Sequence, residues 1–457
     1  MAADFNDPGV IDPAEAAMLV DQYELTMADS YLRRGMNDEA AFELFARELP
    51  PNREWLLAAG LGPVLKLIGE LRFDRRALDY LASLGRFGDG LLDYLAGFRF
   101  SGDIDALPEG TVCFAGEPLL RVTAPRVEAQ LLETLLLNQI GFQTLAATKA
   151  ARVVLAAGDG EPGAGGSVVD FSPRRDHGAD AAVKVARSAA VAGCGGTSNM
   201  LAAMLYGLRS VGTMAHSYVL SFPDEEAAFR AFVEDHPRPT ILLVDTYDTL
   251  DGVRTAIAVS EETGVRLAGV RLDSGDLDSL SRGARELLDA AGRRDAQITA
   301  SGDLEENQIC RLVAAGAPID LWGVGTELGT SRDAPALGVV YKLVADRRRG
   351  LWRGVGKRSQ AKATIGGRKQ VWRRHRDREM VGDVVGALDE DLDGEPLLVP
   401  AVRGGKRILD ESLEDVRERS RVQLGALPRR LRSFPAPADI DPYPVELSAR
   451  LAAAPRA

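Results

Sequence analysis

From residue 161 to 345, short apolar or β-branched runs alternate with stretches of helical spacing. The runs are "SVVDFSPRR", "GCGGTSN", "RSVGTMAHS", "TILLVDTYD", "RLAGVRLDSGD", "QITASGDLEEN" and "IDLWGVGTELG", with "LGVVYKLVA" as an eighth. Most end in a polar or glycine-containing tip, and patterns such as "ADAAVKVARSAAVA" and "DLDSLSRGARELLDAA" separate them. Strands alternating with helices predict a parallel sheet with right-handed crossovers. Seven or eight such units predict an α/β fold built on an irregular (β/α) barrel. A doubly wound open sheet is the alternative. In a barrel, the polar tips gather on the face formed by the C-terminal strand ends.

The flanking patterns differ. The first stretch reads as a loose polar arm. "VDQYELTMADSYLRRGM" (20–36) has helical spacing, with Tyr23, Met27 and Tyr31 four apart on one face. Residues 40–49 read as a strand, 55–98 as helix-rich, and 107–125 as strands of a small antiparallel sheet. Residues 126–157 read as a long helix interrupted near Gly141, followed by a glycine-rich joint at 158–166. After 345 the chain turns basic, with strand-like pieces such as "KQVWRR" that suggest a solvated strand face, and it is Pro-rich near 434–444. The expected division is an N-terminal α+β domain (1–160), the barrel (161–345) and a C-terminal segment (346–457) that packs at least partly with the N-terminal domain.

Composition changes this picture little. The 457 residues suffice for two or three domains, and 46% hydrophobic with 27% charged residues is ordinary for a soluble protein. A net charge of −12 disfavours nucleic acid as a partner. No apolar run approaches the ~20 residues of a membrane span, and no basic, signal-like segment opens the chain. Cys113, Cys194 and Cys310 are widely spaced, which predicts neither a disulfide framework nor a zinc site and suits a reducing cytoplasm.

The tips carry the candidate chemistry. "GVRLDSGDL" puts Arg271 and Asp273 two apart at a strand end, pointing the same way. Arg offers a planar fork to a carboxylate or phosphate; Asp273 suits sugar hydroxyls or a hydrated Mg²⁺. An Arg–Asp pair with Asp276 as helix cap is the plain alternative. "ASGDLEENQI" places Gly302 in a turn that suits a phosphate, although for this stretch alone plain capping by Ser301 or Asp303 with Glu306 is the better reading. "WGVGTELGT" offers Gly325 and Thr326 as a second phosphate loop. Arg174 can clamp an anion, while Arg175 and His177 read as solvated, and "CGGTSN" with Ser198 suits a ligand passing close to backbone or a tight turn. Asp245 either supports an imidazole or caps a helix. His216, one of four histidines, is either a partnered core imidazole or a reactive group; its place on the tip face keeps the second reading open. Together these residues suit a transferase acting on a phosphorylated sugar or nucleotide.

Eight stretches, in order, carry a family resemblance: "VDQYELTMA", "FELFARELP", "FQTLAATKAARV", "GTSNMLAAMLYG", "GTMAHSYV", "VDTYDT", "GVRLDSGDL" and "GVGTELGTSRDAPALGVVYKLV". They resemble the nicotinate phosphoribosyltransferase family over residues 18–345, and "KATIGGRKQVWR" (362–373) extends the match. The resemblance implies an irregular α/β barrel with a second domain from the N- and C-terminal parts. It also implies nicotinate, phosphoribosyl pyrophosphate and ATP as substrates, Mg²⁺ as cofactor, and a homodimer with shared active sites. His216 corresponds to the family's phosphorylated histidine, Tyr23, Arg271 and Thr213 to residues around the nicotinate, and Gly325 and Thr326 to the phosphoribosyl phosphate loop. Arg174, Asp245 and Asp273 match positions of the related nicotinamide enzymes, and Ser198 stands where those carry Asp. A carboxylate there would repel nicotinate, so Ser favours the acid over the amide. Val20, "FSPRR" and "KATIGGRKQ" depart from the family pattern without removing a site residue. A nicotinamide enzyme and a catalytically silent relative are the alternatives.

Overall fold

The computed structural model describes residues 3–163, 167–356, 364–435 and 440–453. Positions 164–166 of the expected joint, 362–363 of the last motif and 436–439 of the Pro-rich stretch lie outside the described residues. The chain forms two compact units. One comprises Met1–Thr148, Asp333–Leu431 and Asp439–Ala457; the other comprises Lys149–Arg332 and Arg432–Ala438.

The second unit is built on six parallel strands: β1 (Ser167–Asp170), β2 (Gly196–Thr197), β3 (Thr240–Leu243), β4 (Leu267–Leu272), β5 (Gln297–Ser301) and β6 (Leu321–Val324). Their order in the sheet is β2-β1-β6-β5-β4-β3. This order is cyclic: β3 to β6 follow one another, and then the last strand pairs with the first, Leu321 opposite Ser167 and Val324 opposite Asp170. A doubly wound sheet would instead reverse direction from its middle. The α/β expectation and its barrel-like winding therefore hold, with fewer strands than the runs suggested. "RSVGTMAHS" contributes only a single bridge, Ser210 to Thr197. Past Val211 its polar groups turn to a side chain instead, since the Met214 carbonyl and the Thr213 hydroxyl both accept from Arg271. Helices Ala179–Val191, Thr249–Thr263 and Leu277–Ala290 fill the crossovers.

"LGVVYKLVA" belongs to the other unit. Strand Val339–Arg348 pairs antiparallel with Glu39–Ala46, Tyr341 opposite Leu44. An apolar, β-branched run reads the same in either kind of sheet, and its partner here is far away in sequence. The two lie in a seven-stranded antiparallel sheet with Leu351–Gly354, Pro118–Pro125, Asp103–Ala106, Val399–Arg403 and Lys406–Arg407. Its apolar face packs on helix Leu61–Glu70 and neighbours, with Leu44, Val64, Leu67, Ile104 and Val122 fully buried.

Four local expectations change in this unit. The N-terminal arm is anchored: Phe5, Asn6, Ala16 and Ala17 are buried, and Asp12 caps helix Pro13–Ala16. In helix Gln22–Arg33 the buried face is Glu24, Leu25, Ala28 and Asp29, while Tyr23 is 47% exposed. Apolar spacing pointed to the wrong face because two carboxylates are buried there, Glu24 accepting from the Thr134 amide and hydroxyl through Oε1 and Asp29 paired with Arg33. Gly141 does not break its helix, which runs unbroken over Glu133–Ala157. A Cβ at Gly141 would sit 2.7 Å from Val339, so the glycine marks a close approach of helix to strand. The "KQVWRR" strand is not a solvated face, since Lys369 to Arg373 are all buried. Lys369 pairs with Glu43, and Arg373 with Asp383, Gln423 and the Val112 carbonyl.

Candidate functional site

Parallel strands deliver their C-terminal residues to one face, and the second unit brings Arg271, Asp245, Asp273, Ser301 and His216 together there. Arg271 is the fifth residue of β4 and lies opposite Thr299 of β5 and Leu243 of β3. Its guanidinium is held on three sides. Nε donates to Ser301 Oγ at 2.8 Å and a terminal nitrogen donates to Asp273 Oδ1 at 2.8 Å. The other reaches Thr213 Oγ1 and the Met214 carbonyl, each at 3.4 Å. The Phe171 ring lies under the group, 5.3 Å to its centroid. Ser301 also donates to Asp273 Oδ1, so one hydroxyl braces both members of the Arg–Asp pair. Burial would raise the Asp273 carboxyl, but hydrogen bonds from Ser301 and Arg271, with the charges of Arg271 and His216, outweigh it and hold it below the ordinary range.

His216 opens the one-turn helix His216–Val219. Its side chain is 40% exposed, and its Nε2 faces two carboxylates, Asp245 Oδ1 and Asp273 Oδ2, each at 3.8 Å. Nδ1 lies 3.2 Å from Thr246 Oγ1. The Asp245 side chain is buried. Its Oδ2 accepts from the Asp273 amide (2.9 Å) and Ser274 Oγ (2.7 Å), whereas Oδ1 has no hydrogen-bond partner among the described residues. Asp245 does not cap the next helix; Asp248 does, accepting from the Asp251 amide. Asp276 takes the cap position of helix Leu277–Ala290 and Arg271 pairs with Asp273, as the plain reading of the Arg-x-Asp-Ser-Gly-Asp turn expects.

Two glycine turns flank this cluster. Gly302 has φ +88°, and a Cβ there would lie 2.0 Å from the Asp273 carbonyl, so only glycine fits. The cap after it is Glu305, accepting from the amides of Asn307 and Gln308, and neither Ser301 nor Asp303 serves. Ser301 is taken by Arg271, and Glu306 is buried between Lys149 and Arg152. Gly325 precedes the turn Thr326–Gly329. That turn packs on the loop after β1: a Cβ at Gly329 would lie 1.9 Å from Asp176 and 2.4 Å from Ser172.

The loop after β1 is knotted through acids. Asp170 is fully buried and accepts from the Ser172 amide, the Ser172 hydroxyl and Thr197 Oγ1. Ser172 Oγ also lies 3.0 Å from Asp176 Oδ2. Burial, then the charge of Asp170, pushes the Asp176 carboxyl up to about 6. Arg174 is exposed on this loop and touches the Phe171 carbonyl at 3.4 Å. Arg175 and His177 are exposed, as expected of solvated residues. Ser198 follows β2 with its amide on the Asp170 carbonyl, and its buried hydroxyl lacks a partner among the described residues. Tyr23 belongs to the other unit, where it is hydrogen-bonded to Glu133; burial and the nearby acids raise its phenol.

Phe171, Thr246 and Ser301 escape the sequence reading as site residues. Phe171 had a signal, an aromatic between two polar residues at a strand tip; Ser301 passes for an ordinary cap until its strand neighbour is known. A cavity of about 210 Å³ inside the curled sheet completes the site, walled by Arg271, Phe171, Thr213, Thr299, Ile241 and Leu321 among others. The described residues hold no group of three or more His, Cys, Asp or Glu placed for a metal ion. The carboxylates that face His216 Nε2, Asp273 and Asp245 with its unpartnered Oδ1, are donors of the kind that suit Mg²⁺, which is held by one or two carboxylates with substrate phosphates. Among the described residues no helix is long and apolar enough to cross a membrane.

Residues 18–141 match the nicotinate phosphoribosyltransferase (NAPRTase) N-terminal domain. The chain is 48% identical over 441 residues to a nicotinate phosphoribosyltransferase of Mycobacterium tuberculosis, covering 95% of this chain and 92% of the relative. It is 42% identical over 386 residues to the nicotinate phosphoribosyltransferase of Bacillus subtilis, covering 83% and 77%. The crystal structure of human nicotinic acid phosphoribosyltransferase matches with a TM-score of 0.81 at 28% identity, over 95% of this chain and 98% of that one. The chain therefore belongs to the nicotinate phosphoribosyltransferase family.

Proposed function

We propose that this protein transfers the phosphoribosyl group of phosphoribosyl pyrophosphate to nicotinate, giving nicotinate mononucleotide and pyrophosphate, the first step of NAD synthesis from nicotinic acid. The observation that carries the reading is the braced Arg271 guanidinium, set between the Phe171 ring and an adjoining cavity. Its two 3.4 Å contacts are weak, which leaves a donor edge for a carboxylate. The pyridine nitrogen then attacks ribose C1 with its lone pair as the C1–oxygen bond breaks and pyrophosphate leaves with the electron pair. Developing positive charge on the sugar favours the nearby carboxylates, so the protein contributes mainly orientation and charge placement. Gly302, Gly325 and Thr326 supply close-approach turns for phosphate, and Arg174 is an exposed cation on the same face. Ser198 puts no negative charge against an anionic base.

ATP coupling belongs to the same reading. His216 accepts the γ-phosphoryl group of ATP as ADP leaves, with Asp245 and Asp273 facing its Nε2, and water then cleaves the phosphohistidine to release phosphate, which couples ATP use to turnover. Asp245 and Asp273 are the carboxylates that would hold Mg²⁺, which when bound offsets the charge of the phosphates. The functional form is a homodimer in which Tyr23 of a second copy stacks on the base. None of the three cysteines is in a disulfide, which supports a cytoplasmic setting.

The test is product formation by the full chain with phosphoribosyl pyrophosphate and Mg²⁺, with and without ATP, offering nicotinate and nicotinamide separately. Nicotinate mononucleotide is expected, with stimulation by ATP. Product from nicotinamide alone would convert the assignment to the amide enzyme, and no product from either would make the chain a silent relative.

A further inference from the structure

The cavity inside the curled sheet holds a polar group that the reaction above does not use. Thr299 lies in register with Arg271 on one side and Leu321 on the other, and all three line the cavity. Thr299 is 4% exposed, and its hydroxyl has no hydrogen-bond partner among the described residues. A buried hydroxyl left without a partner is uncommon and destabilising. Valine has the same shape and would spare that cost. The hydroxyl is closed to solvent as it stands, but turning about χ1 exchanges it with the methyl group and presents it to what the cavity admits. The other walls specify it: a guanidinium for a carboxylate, an aromatic face for a flat ring, and the apolar Ile241 and Leu321 side chains. A planar aromatic acid fills this description, and a hydrogen-bonding group on its inner edge would satisfy Thr299.

We propose that Thr299 is a specificity-determining residue that lets the enzyme accept pyridine-3-carboxylates bearing a small hydrogen-bonding substituent on the ring edge away from the reacting nitrogen. The inference rests on the transfer reading above, with Arg271 taking the carboxylate. The reacting nitrogen and the ribose are unchanged, so the bonds made and broken are those of nicotinate itself.

The experiment compares kcat/KM of the full-length enzyme for nicotinate, 5-hydroxynicotinate, 5-aminonicotinate and 5-methylnicotinate. The methyl acid measures room and the other two measure hydrogen bonding. The wild type is expected to convert all four. Thr299→Val should lower kcat/KM for the hydroxy and amino acids about five- to tenfold, as loss of one hydrogen bond does, and leave nicotinate and the methyl acid within about twofold. Thr299→Ser should retain the wild-type pattern. Without ligand, Thr299→Val should melt higher than wild type, which also confirms that it folds. An equal loss for all four acids would overturn the inference, as would an enzyme that converts nicotinate and none of the substituted acids. If no acid is converted, the transfer reading fails and equilibrium binding of the same acids decides the cavity. Selective weakening of the hydroxy acid by Thr299→Val then supports the inference, and unchanged affinity overturns it.

Discussion

The two 3.8 Å separations around His216 Nε2 are longer than hydrogen bonds, and they leave the imidazole facing two carboxylates without being tied to either. A histidine kept as a core residue would be buried and closely bonded; this one is part-exposed and held mainly through Thr246. That geometry suits a group that changes partners during turnover. His216→Ala is expected to abolish stimulation by ATP while leaving a slow, uncoupled transfer, because Arg271 and the Gly302 and Gly325 turns remain. The check is ATP hydrolysis and mononucleotide formation measured side by side; coupled hydrolysis surviving in the variant would remove the phosphohistidine from the mechanism. At this scale the sequence was informative wherever two polar residues on one strand end share a face. Arg271 and Asp273 do so because of β alternation alone. It was silent on Ser301 and Thr246, whose roles depend on neighbours from other strands.

Among the elements, the loop after β1 has an internal conflict. One Ser172 hydroxyl lies within hydrogen-bond reach of both Asp170 and Asp176, yet it carries one proton. When both acids are ionised, one contact has no hydrogen. Burial, then the charge of Asp170, raises the Asp176 carboxyl from 3.8 to about 6, and the shared Ser172 hydroxyl does not offset it. A carboxyl raised in the folded state binds its proton more tightly there than in the unfolded chain, so its ionisation opposes folding. The cost is absent below the unfolded value, grows as pH rises between the two, and is fully present above about 6. Asp176→Asn should therefore melt higher than wild type above pH 6, with the difference shrinking as pH falls toward 4; thermal melts across that range test it. A constant difference would mean that Asp176 is not the titrating group. Element type was mostly readable from periodicity, since β3 to β6 coincide with apolar runs ending in polar tips. The failures have specific causes. Helix Gln22–Arg33 buries paired carboxylates, and Gly141 is a packing glycine inside a helix rather than a break.

For the whole molecule, each unit draws on segments far apart in the chain. The shared active sites proposed above have a direct test. Tyr23→Ala and Arg271→Ala are each expected to cost most of the activity. Co-refolded in equal amounts, they should recover about a quarter of wild-type activity, because half the dimers are mixed and each mixed dimer has one intact site of two. No recovery would mean that Tyr23 serves the site of its own chain or none.

Read without a structure, the chain already contained the α/β class and the family, because alternation and motif order are local properties. Only the folded molecule assigned partners. It gave Val339–Arg348 to the antiparallel sheet, reduced "RSVGTMAHS" to one bridge with its polar groups on Arg271, and buried Arg373 against Asp383. It also left the Thr299 hydroxyl and Asp245 Oδ1 without hydrogen-bond partners among the described residues, beside the cavity and the histidine. Burial and pairing are relations between distant residues, and local spacing carries no record of which distant residue will arrive.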